Sequence, residues 1–327
     1  MRAVQFAAFG DYDVLNLVTV PDPTPANGDA VVRMTVAGVS PLDNTVRLGK
    51  LPAVKPLPLI AGNSGVGIVE DPGGSALSPG TRVVVAGGGY GVRADGVWAE
   101  RVAVDPALLV PVPDAVDDVA AAALTTGAGY STAYLALTEL AGFRAGQTVL
   151  APGVGGSVGQ GGVEIARVLG ASRAITTATS AAKAERGRAA GFEVIDLTSE
   201  SLRDGVARLT DGTGVDVVLD GVGGELTGEA LGALAVDGAL VSIGYAAGMR
   251  TTVNVTDLIW RNAHVHGFRF ALFTPEQIGA NNATLLELLA AKEITPLVDS
   301  VFPLAEAAIA QRHLIEGGPF GRVLLTV

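Results

Sequence analysis

The sequence predicts an α/β protein that combines a doubly wound parallel sheet with a β-rich domain, and three observations support this fold class. From about residue 117 to 270, short apolar strands alternate with helical segments, as in a parallel sheet with helices on both faces. Before that region, short apolar runs are separated by Pro- and Gly-rich turns, which indicates β structure. The length of 327 residues is sufficient for about two domains.

The alternating region is predicted to begin with an Ala-rich helix that Asp117 or Asp118 caps. Four strands follow, each succeeded by a helix: QTVLAPG by SVGQGGVEIARVLG, RAITTA by SAAKAERGRAAG, FEVIDL by ESLRDGVARLT, and VDVVLDGVGG by ELTGEALGALAVDG. ALVSIGY and HVHGFRF are the fifth and sixth strands. From about Asn281 we expect a helix, a short strand, a second helix and a closing strand.

The composition excludes several classes of partner and site. Apolar residues make up 49% of the chain and the net charge is −11, so we expect a globular protein that does not bind nucleic acid or anionic lipid. The absence of cysteine excludes disulfides, thiolate nucleophiles and cysteine-ligated zinc. No segment resembles a signal peptide or a membrane span. We therefore expect a soluble, cytoplasmic protein.

A glycine-rich loop follows the first strand of the alternating region and opens a helix. Gly153, Gly156 and Gly159 form the pattern G-x-x-G-x-x-G, and Ser157 and Val158 begin the helix. Glycine permits a tight turn and close approach of the backbone to a pyrophosphate, while the helix N-terminus favours an anion. A tight turn with small packing residues is the alternative interpretation. Within a βαβ unit, the pattern favours a dinucleotide-binding Rossmann domain.

The next strand lacks the acidic residue that usually binds the ribose 2′-hydroxyl of NAD. Its end carries Thr177, Thr179 and Ser180, followed by Lys183, and no acid occurs before Glu185. Hydroxyls, a lysine and a helix N-terminus suit a 2′-phosphate, so the sequence favours NADPH over NADH. The alternative is that Lys183 belongs to a solvated helix face.

These motifs, in this order, resemble the zinc-free quinone oxidoreductases (the zeta-crystallin group) of the medium-chain dehydrogenase/reductase superfamily. The resemblance extends over essentially the whole chain. The segments that carry it are AGVSPLDNTVRLGKLP, GVGGSVGQGGVEIARVLGA, VDVVLDGVGG, DGALVSIGYAAG and EGGPFGRVLL.

The resemblance implies a GroES-like β-rich catalytic domain formed by residues 1–121 and 262–327, with a Rossmann domain at residues 122–261. It also implies a homodimer through an edge strand near His264–Phe270. Together, loop and resemblance predict a set of cofactor-binding residues: Thr132, Gly153, Gly156, Ser157, Val158, Gly159, Thr177, Ser180, Lys183, Gly221, Val222, Ile243, Gly244, Tyr245, Phe268, Phe270 and Arg322.

The zinc branch of the superfamily has an early ligating cysteine and a later Gly-His-Glu, and this chain departs from both. Ser40 stands at the first position and Gly62-Asn63-Ser64 at the second. His264 and His266 share a strand face, but no third ligand lies near them in the sequence. We expect no metal.

Without a metal or a cysteine, the cofactor is expected to carry the chemistry. The predicted function is NADPH-dependent reduction of quinones or α,β-unsaturated carbonyl compounds, with Ser40, Asn63 and Tyr130 as candidate catalytic donors. The tyrosines of related reductases are replaced by Thr45 and by GKLP at residues 49–52, so water is the default proton source. Reduction of an enoyl thioester and dinucleotide binding with little turnover are the alternatives.

Overall fold

A computed structural model describes residues 1–26 and 28–327. The chain divides into two compact units, Met1–Gly127 with Thr274–Val327, and Ala128–Phe273. The boundaries expected from the sequence, at 121/122 and 261/262, stay predictions. The sixth strand of the parallel sheet lies beyond residue 261, within the second unit.

The described residues form strands and helices that we number along the chain. The strands are β1 (Arg2–Phe6), β2 (Asn16–Thr19), β3 (Ala30–Val39), β4 (Leu59–Ile60), β5 (Ser64–Asp71), β6 (Arg82–Ala86), β7 (Arg101–Val104), β8 (Leu109–Pro111), β9 (Thr148–Leu150), β10 (Arg173–Ala178), β11 (Glu193–Asp196), β12 (Val215–Asp220), β13 (Leu234–Ser242), β14 (His264–Gly267), β15 (Val298–Pro303) and β16 (Arg322–Thr326).

The helices are α1 (Pro41–Arg47), α2 (Asp118–Thr125), α3 (Gly129–Leu135), α4 (Ser157–Val168), α5 (Ala181–Ala189), α6 (Leu202–Leu209), α7 (Glu225–Gly232), α8 (Val255–Arg261), α9 (Pro275–Ala290) and α10 (Ala307–Glu316). Short 3₁₀ turns cover Tyr12–Val14, Pro106–Leu108, Thr126–Ala128, Phe270–Leu272 and Leu304–Glu306, and a π turn covers Ala136–Leu140. No helix of the described residues is both long and apolar enough to span a bilayer.

The second unit is built on a six-stranded, fully parallel sheet in the order β11-β10-β9-β12-β13-β14. This order confirms the predicted doubly wound Rossmann sheet. The central strands are apolar because both of their faces are covered. Leu150, Ile175, Val218 and Leu240 are completely buried in its core. The glycine loop therefore lies at the carboxyl edge of the sheet, beside the point where the strand order reverses.

The first unit contains the predicted β-rich domain. Its main sheet has the order β15-β16-β3-β5-β6-β8, with β7 paired to β3, and a smaller sheet has the order β2-β1-β4. The core packs around Trp98, which is fully buried and donates its indole N–H to the carbonyl of Gly38 at 2.9 Å. The main sheet positions Ser40 and Asn63, because Ser40 directly follows the last residue of β3, Val39, and Asn63 directly precedes the first residue of β5, Ser64.

The Ala-rich segment forms two helices, not one continuous helix. Asp117 caps α2 as expected, its side chain accepting the Ala120 amide at 2.8 Å. The helix is then interrupted at Gly127 (φ 68°) and Ala128 (φ 51°), both in the left-handed region. This interruption coincides with the boundary between the two units.

Candidate functional site

The glycine loop is tied to the neighbouring strand β10 by two hydrogen bonds. The amide of Gly153, at φ +91°, donates to the hydroxyl of Thr177 at 3.1 Å. The amide of Val154 donates to the carbonyl of Thr177 at 2.9 Å. Thr177 is buried, so in this structure its hydroxyl shapes the loop instead of facing solvent.

The three glycines of the loop are required for different reasons. Gly153 adopts a positive φ that side chains disfavour, and a Cβ on Gly159 would lie 2.0 Å from the carbonyl oxygen of Gly153. Gly156 has an ordinary φ of −87°, and a Cβ there would come no closer than 3.2 Å to the Gly153 oxygen. The exposed space over Gly156 is thus left open by the protein, which fits the close approach of a pyrophosphate.

The N-terminus of α4 adds the electrostatics of an anion site. Gly156 is the N-cap residue, and no side chain caps the helix. The first turn, beginning with Ser157 and Val158, presents backbone N–H groups at the positive end of the helix dipole. This arrangement fits a dinucleotide phosphate.

The loops after β12 and β13 meet the same helix end. A Cβ on Gly221 would lie 2.7 Å from the Cβ of Val158, and a Cβ on Gly244 would lie 2.4 Å from the Gly221 oxygen. The structure thus brings together the predicted residues of three strand ends: Val158, Gly159, Gly221, Val222, Ile243, Gly244 and Tyr245.

Asp220, at the end of β12, organises these loops and was not predicted as a site residue. Its Oδ1 accepts the amides of Val222 at 3.0 Å and Gly223 at 2.9 Å, while its Oδ2 accepts the hydroxyl of Thr227 at 2.5 Å. Its carbonyl oxygen accepts the amides of Ile243 and Gly244. Asp220 therefore fixes both loops, the first through its buried carboxylate and the second through its backbone carbonyl.

A pocket of about 280 Å³ opens next to these loops. Ile243, Gly244 and Tyr245 line it on one side, and the following segment contributes Met249 and Arg250. Tyr245 is 55% exposed. The pocket provides apolar and polar contacts beside the carboxyl end of β13.

The segment after β14 carries the two predicted phenylalanines. The amide of Phe268 donates to the carbonyl of Ser242 at 2.9 Å, which places the segment along the end of β13. The rings of Phe268 and Phe270 pack edge to face, 5.2 Å between centroids. Both rings are partly exposed.

The end of β10 has the polar character that the sequence predicts. Ser180 caps α5, its hydroxyl accepting the Lys183 amide at 3.3 Å. Both residues are partly exposed, and the Lys183 ammonium forms no ion pair within residues 1–26 and 28–327. No acidic side chain stands between Ala178 and Lys183.

Three further predicted residues are buried, and two of them lie on α3. Tyr130 is fully buried, and its hydroxyl donates a hydrogen bond to the Glu164 carboxylate on α4 at 2.8 Å. The hydroxyl proton is therefore engaged within the protein. Thr132 is 3% exposed on the same helix. Arg322 is 3% exposed on β16 and belongs to the first unit, whereas the other predicted cofactor residues belong to the second.

Ser40 and Asn63 form a compact hydrogen-bonded cluster with Asp43, which was not predicted. The Ser40 amide and hydroxyl donate to Asp43 Oδ2 at 2.7 and 2.8 Å. The Asn63 amide group donates to Ser40 Oγ at 2.7 Å and to Asp43 Oδ1 at 3.2 Å. Burial raises the pKa of the Asp43 carboxyl to about 6, and the hydrogen bonds from Ser40 and Asn63 limit the rise.

The described residues contain no group of three or more histidine, aspartate or glutamate side chains that could hold a metal ion. His264 and His266 lie on β14, where the sequence placed them.

Comparison with known proteins agrees with this architecture. Residues 26–114 match the alcohol dehydrogenase GroES-like domain family, and residues 190–325 match the zinc-binding dehydrogenase family. The quinone oxidoreductase of Pseudomonas aeruginosa is 32% identical over 99% of this chain and 99% of its own length. The chain belongs to the quinone oxidoreductase group of the medium-chain dehydrogenase/reductase superfamily.

Solved structures of this superfamily are similar over the whole chain. A mycobacterial protein, Rv1454c, complexed with NADPH is 31% identical with a TM-score of 0.87, and both chains are covered completely. An NAD-dependent alcohol dehydrogenase is 29% identical with a TM-score of 0.89, again with complete coverage of both chains. The chain is therefore an oxidoreductase of a nicotinamide-using superfamily whose members include users of either cofactor.

Proposed function

We propose that this chain is an NADPH-dependent reductase of quinones or α,β-unsaturated carbonyl compounds that works without a metal. The choice of cofactor rests on one observation: the end of β10 presents Ser180 and Lys183 where an NAD site would carry an acid, and among the described residues the Lys183 ammonium has no ion-pair partner. A carboxylate there would repel a 2′-phosphate, whereas an ammonium group and a helix N-terminus attract it.

The residues around the glycine loop would hold the cofactor. The amides at the start of α4 would bind the pyrophosphate above Gly156, and the loops fixed by Asp220 would lie against the nicotinamide half. Bound NADPH supplies a hydride, and the protein supplies orientation, exclusion of water and stabilisation of negative charge on the acceptor oxygen.

Metal independence is part of the proposal. The positions at which the zinc branch has cysteine, histidine and glutamate carry Ser40, Asn63 and Ser64. Ser40 and Asn63 are instead hydrogen-bonded to Asp43. Neutral hydroxyl and amide groups are weak ligands for Zn²⁺, which prefers thiolate, imidazole and carboxylate.

Ser40 and Asn63 are the proposed polar contacts of the substrate carbonyl. Tyr130 was the third candidate, but its buried hydroxyl already donates to Glu164, which favours a structural role. Water remains the proposed source of the proton that completes the reduction.

We also propose a homodimer through β14, which with β11 is one of the two edge strands of the parallel sheet. An edge strand has unpaired backbone groups that can pair with a second copy. Exposed apolar side chains lie on this strand and on the helix that precedes it in the chain: Val265 on β14 is 55% exposed, and Ile259 and Trp260 on α8 are 67% and 76% exposed. Such an exposed patch is typical of an interface.

The test is oxidation of NADPH, and separately NADH, with 9,10-phenanthrenequinone and with benzalacetone as acceptors. The proposal predicts turnover that strongly favours NADPH. A preference for NADH would refute the 2′-phosphate site. Binding of NADPH without turnover of either acceptor would favour the thioester or non-catalytic alternatives.

A further inference from the structure

In the cluster of Ser40, Asp43 and Asn63, every side-chain hydrogen-bond donor is paired with an acceptor of the same cluster. Four polar hydrogens are shared between its side chains and the Ser40 backbone: the Ser40 amide, the Ser40 hydroxyl and the two of the Asn63 side-chain amide. The structure pairs all four with acceptors inside the cluster. Because an ionised carboxylate only accepts, the Asn63 nitrogen must face Asp43, which settles the orientation of the amide. While Asp43 is ionised, the cluster therefore has no donor left for a ligand.

Protonation of Asp43 changes the numbers of hydrogen-bond donors and acceptors in the cluster. A protonated Asp43 is itself a donor and has lost acceptor capacity. The Asp43 oxygen that gains the proton no longer accepts from the Asn63 amide group. When the Asn63 amide turns so that its own oxygen accepts this proton, its N–H groups are free to donate to an acceptor outside the cluster. A substrate carbonyl, or the oxyanion that forms on it, is such an acceptor.

We propose that Asp43 takes up one proton when a substrate carbonyl binds at Asn63, and that this proton turns the Asn63 amide group into the donor that stabilises the reduced oxygen. The inference rests on the proposed function, because it assigns a positioning role to Asp43 in that same reaction. Asp43 itself does not contact the substrate; it acts through Asn63 and Ser40.

The exposure of the three side chains identifies Asn63 as the contact. Ser40 and Asp43 are 2% and 5% exposed, whereas Asn63 is partly exposed. A ligand thus reaches the cluster at the Asn63 amide group, and the carboxyl lies behind it. Burial of this kind couples protonation to hydrogen bonding, since a donor without an acceptor is costly in such a place.

The surroundings allow Asp43 to titrate near neutrality. Burial raises its pKa to about 6, and the groups that hydrogen-bond to it are neutral. On α1, the guanidinium of Arg47 is engaged by Gln311 and Asn44. The titratable and charged groups on α10, which packs against α1, are engaged elsewhere: Arg312 stacks on Tyr12, Glu316 hydrogen-bonds Tyr12, and His313 pairs with Asp299.

Calorimetry tests the inference without turnover. Benzalacetone is titrated into the full chain saturated with NADP⁺ at pH 7, in two buffers of different ionisation enthalpy. The dependence of the observed heat on the buffer gives the number of protons taken up. We expect uptake approaching one proton at pH 7 and much less at pH 5, where Asp43 already carries it.

Two variants separate Asp43 from other groups. Asp43→Asn keeps the shape of the side chain but cannot take up a proton, so proton uptake on binding should vanish. Asp105→Asn is the matched control: it neutralises an acid of the same unit that also caps a helical turn, through the Ala107 amide at 3.0 Å, and uptake should persist.

The pH dependence of kcat/KM provides a second readout. The wild-type value should fall about tenfold per pH unit above pH 6, and the Asp43→Asn profile should be flat there. If the wild-type protein turns over with a kcat/KM that does not change above pH 6, and takes up no proton on binding, the inference is overturned. The proposed reductase function would not be affected by that result. Absence of turnover with both acceptors would instead refute the proposed function. In that case, a wild-type Asp43 that titrates near pH 4 by carboxyl NMR would also overturn the inference.

Discussion

At the scale of single residues, the buried carboxyl of Asp43 makes stability depend on pH. Its pKa is raised from 3.8 to about 6 in the folded protein, so the folded state holds the proton more tightly than the unfolded state. Stability conferred by this group is therefore present at low pH and is lost as the pH rises from about 4 to about 6.

The variant Asp43→Asn measures this effect. Relative to the variant, the wild-type free energy of unfolding should fall by roughly 3 kcal/mol between pH 4 and pH 7, from a shift of about two pKa units. Urea denaturation of both proteins at several pH values gives the difference. A constant difference across this range would mean that Asp43 has an ordinary pKa.

The cofactor preference is also decided by individual side chains. Lys183→Ala removes the ammonium group that follows the end of β10, so the ratio of kcat/KM for NADPH to that for NADH should fall about tenfold, as expected for loss of one charge-assisted contact. Arg144→Ala is the control, because Arg144 precedes the amino end of β9, opposite to the glycine loop. An unchanged ratio in Lys183→Ala would contradict the proposed 2′-phosphate contact.

Sequence reasoning proposed Ser40 and Asn63 as candidate site residues but did not single out Asp43, for a physical reason. The segment Ser40–Asp43 reads as the start of a helix, with Asp43 at the position where an acid bonds back to the N-cap amide. That local signal is correct, since the Ser40 amide does donate to Asp43. The burial that raises its pKa, and the approach of Asn63 from 20 residues away, depend on tertiary packing.

At the scale of elements, two glycines of the loop are expected to affect different properties, Gly156 the binding of the cofactor and Gly159 the stability of the fold. Gly156→Ala should fold with only a small local adjustment, because its φ of −87° suits alanine and the nearest atom, the Gly153 oxygen at 3.2 Å, must move by only a few tenths of an ångström. Its methyl group would enter the space assigned to the pyrophosphate. NADPH affinity, measured by fluorescence titration, should fall about tenfold or more, with little change in the melting temperature.

Gly159→Ala is the matched comparison on the same helix. Its Cβ would lie 2.0 Å from the carbonyl oxygen of Gly153, so the loop must move. We expect the unfolding free energy to fall by about 1–3 kcal/mol or more. Equal NADPH affinity of wild type and Gly156→Ala would indicate that no phosphate lies over Gly156.

The parallel sheet was predictable because its strands are largely apolar and the first four of them are each followed by a helical segment. The interruption at Gly127 and Ala128 was not, because the surrounding TTGAGYST reads as small residues compatible with a helix. Both residues adopt left-handed backbone conformations there, and Ala128 does so without the freedom of glycine.

At the scale of the whole molecule, the proposed dimer depends on the apolar edge of the parallel sheet. Val265→Lys on β14 should give a monomer in sedimentation velocity, since a charge on an edge strand opposes pairing. Val301→Lys is the control: Val301 is 43% exposed on β15, the edge strand of the other main sheet. A dimer that survives Val265→Lys and dissociates in Val301→Lys would place the interface elsewhere.

Direct hydride transfer is the central claim, and isotope transfer tests it most directly. Wild-type protein is incubated with benzalacetone and NADPH that carries deuterium at both C4 positions of the nicotinamide, and the product is analysed by NMR. The account predicts deuterium on the former β-carbon of the enone and a proton from water on the α-carbon. Saturated product without deuterium on the β-carbon, or no product alongside intact NADPH binding, would contradict it.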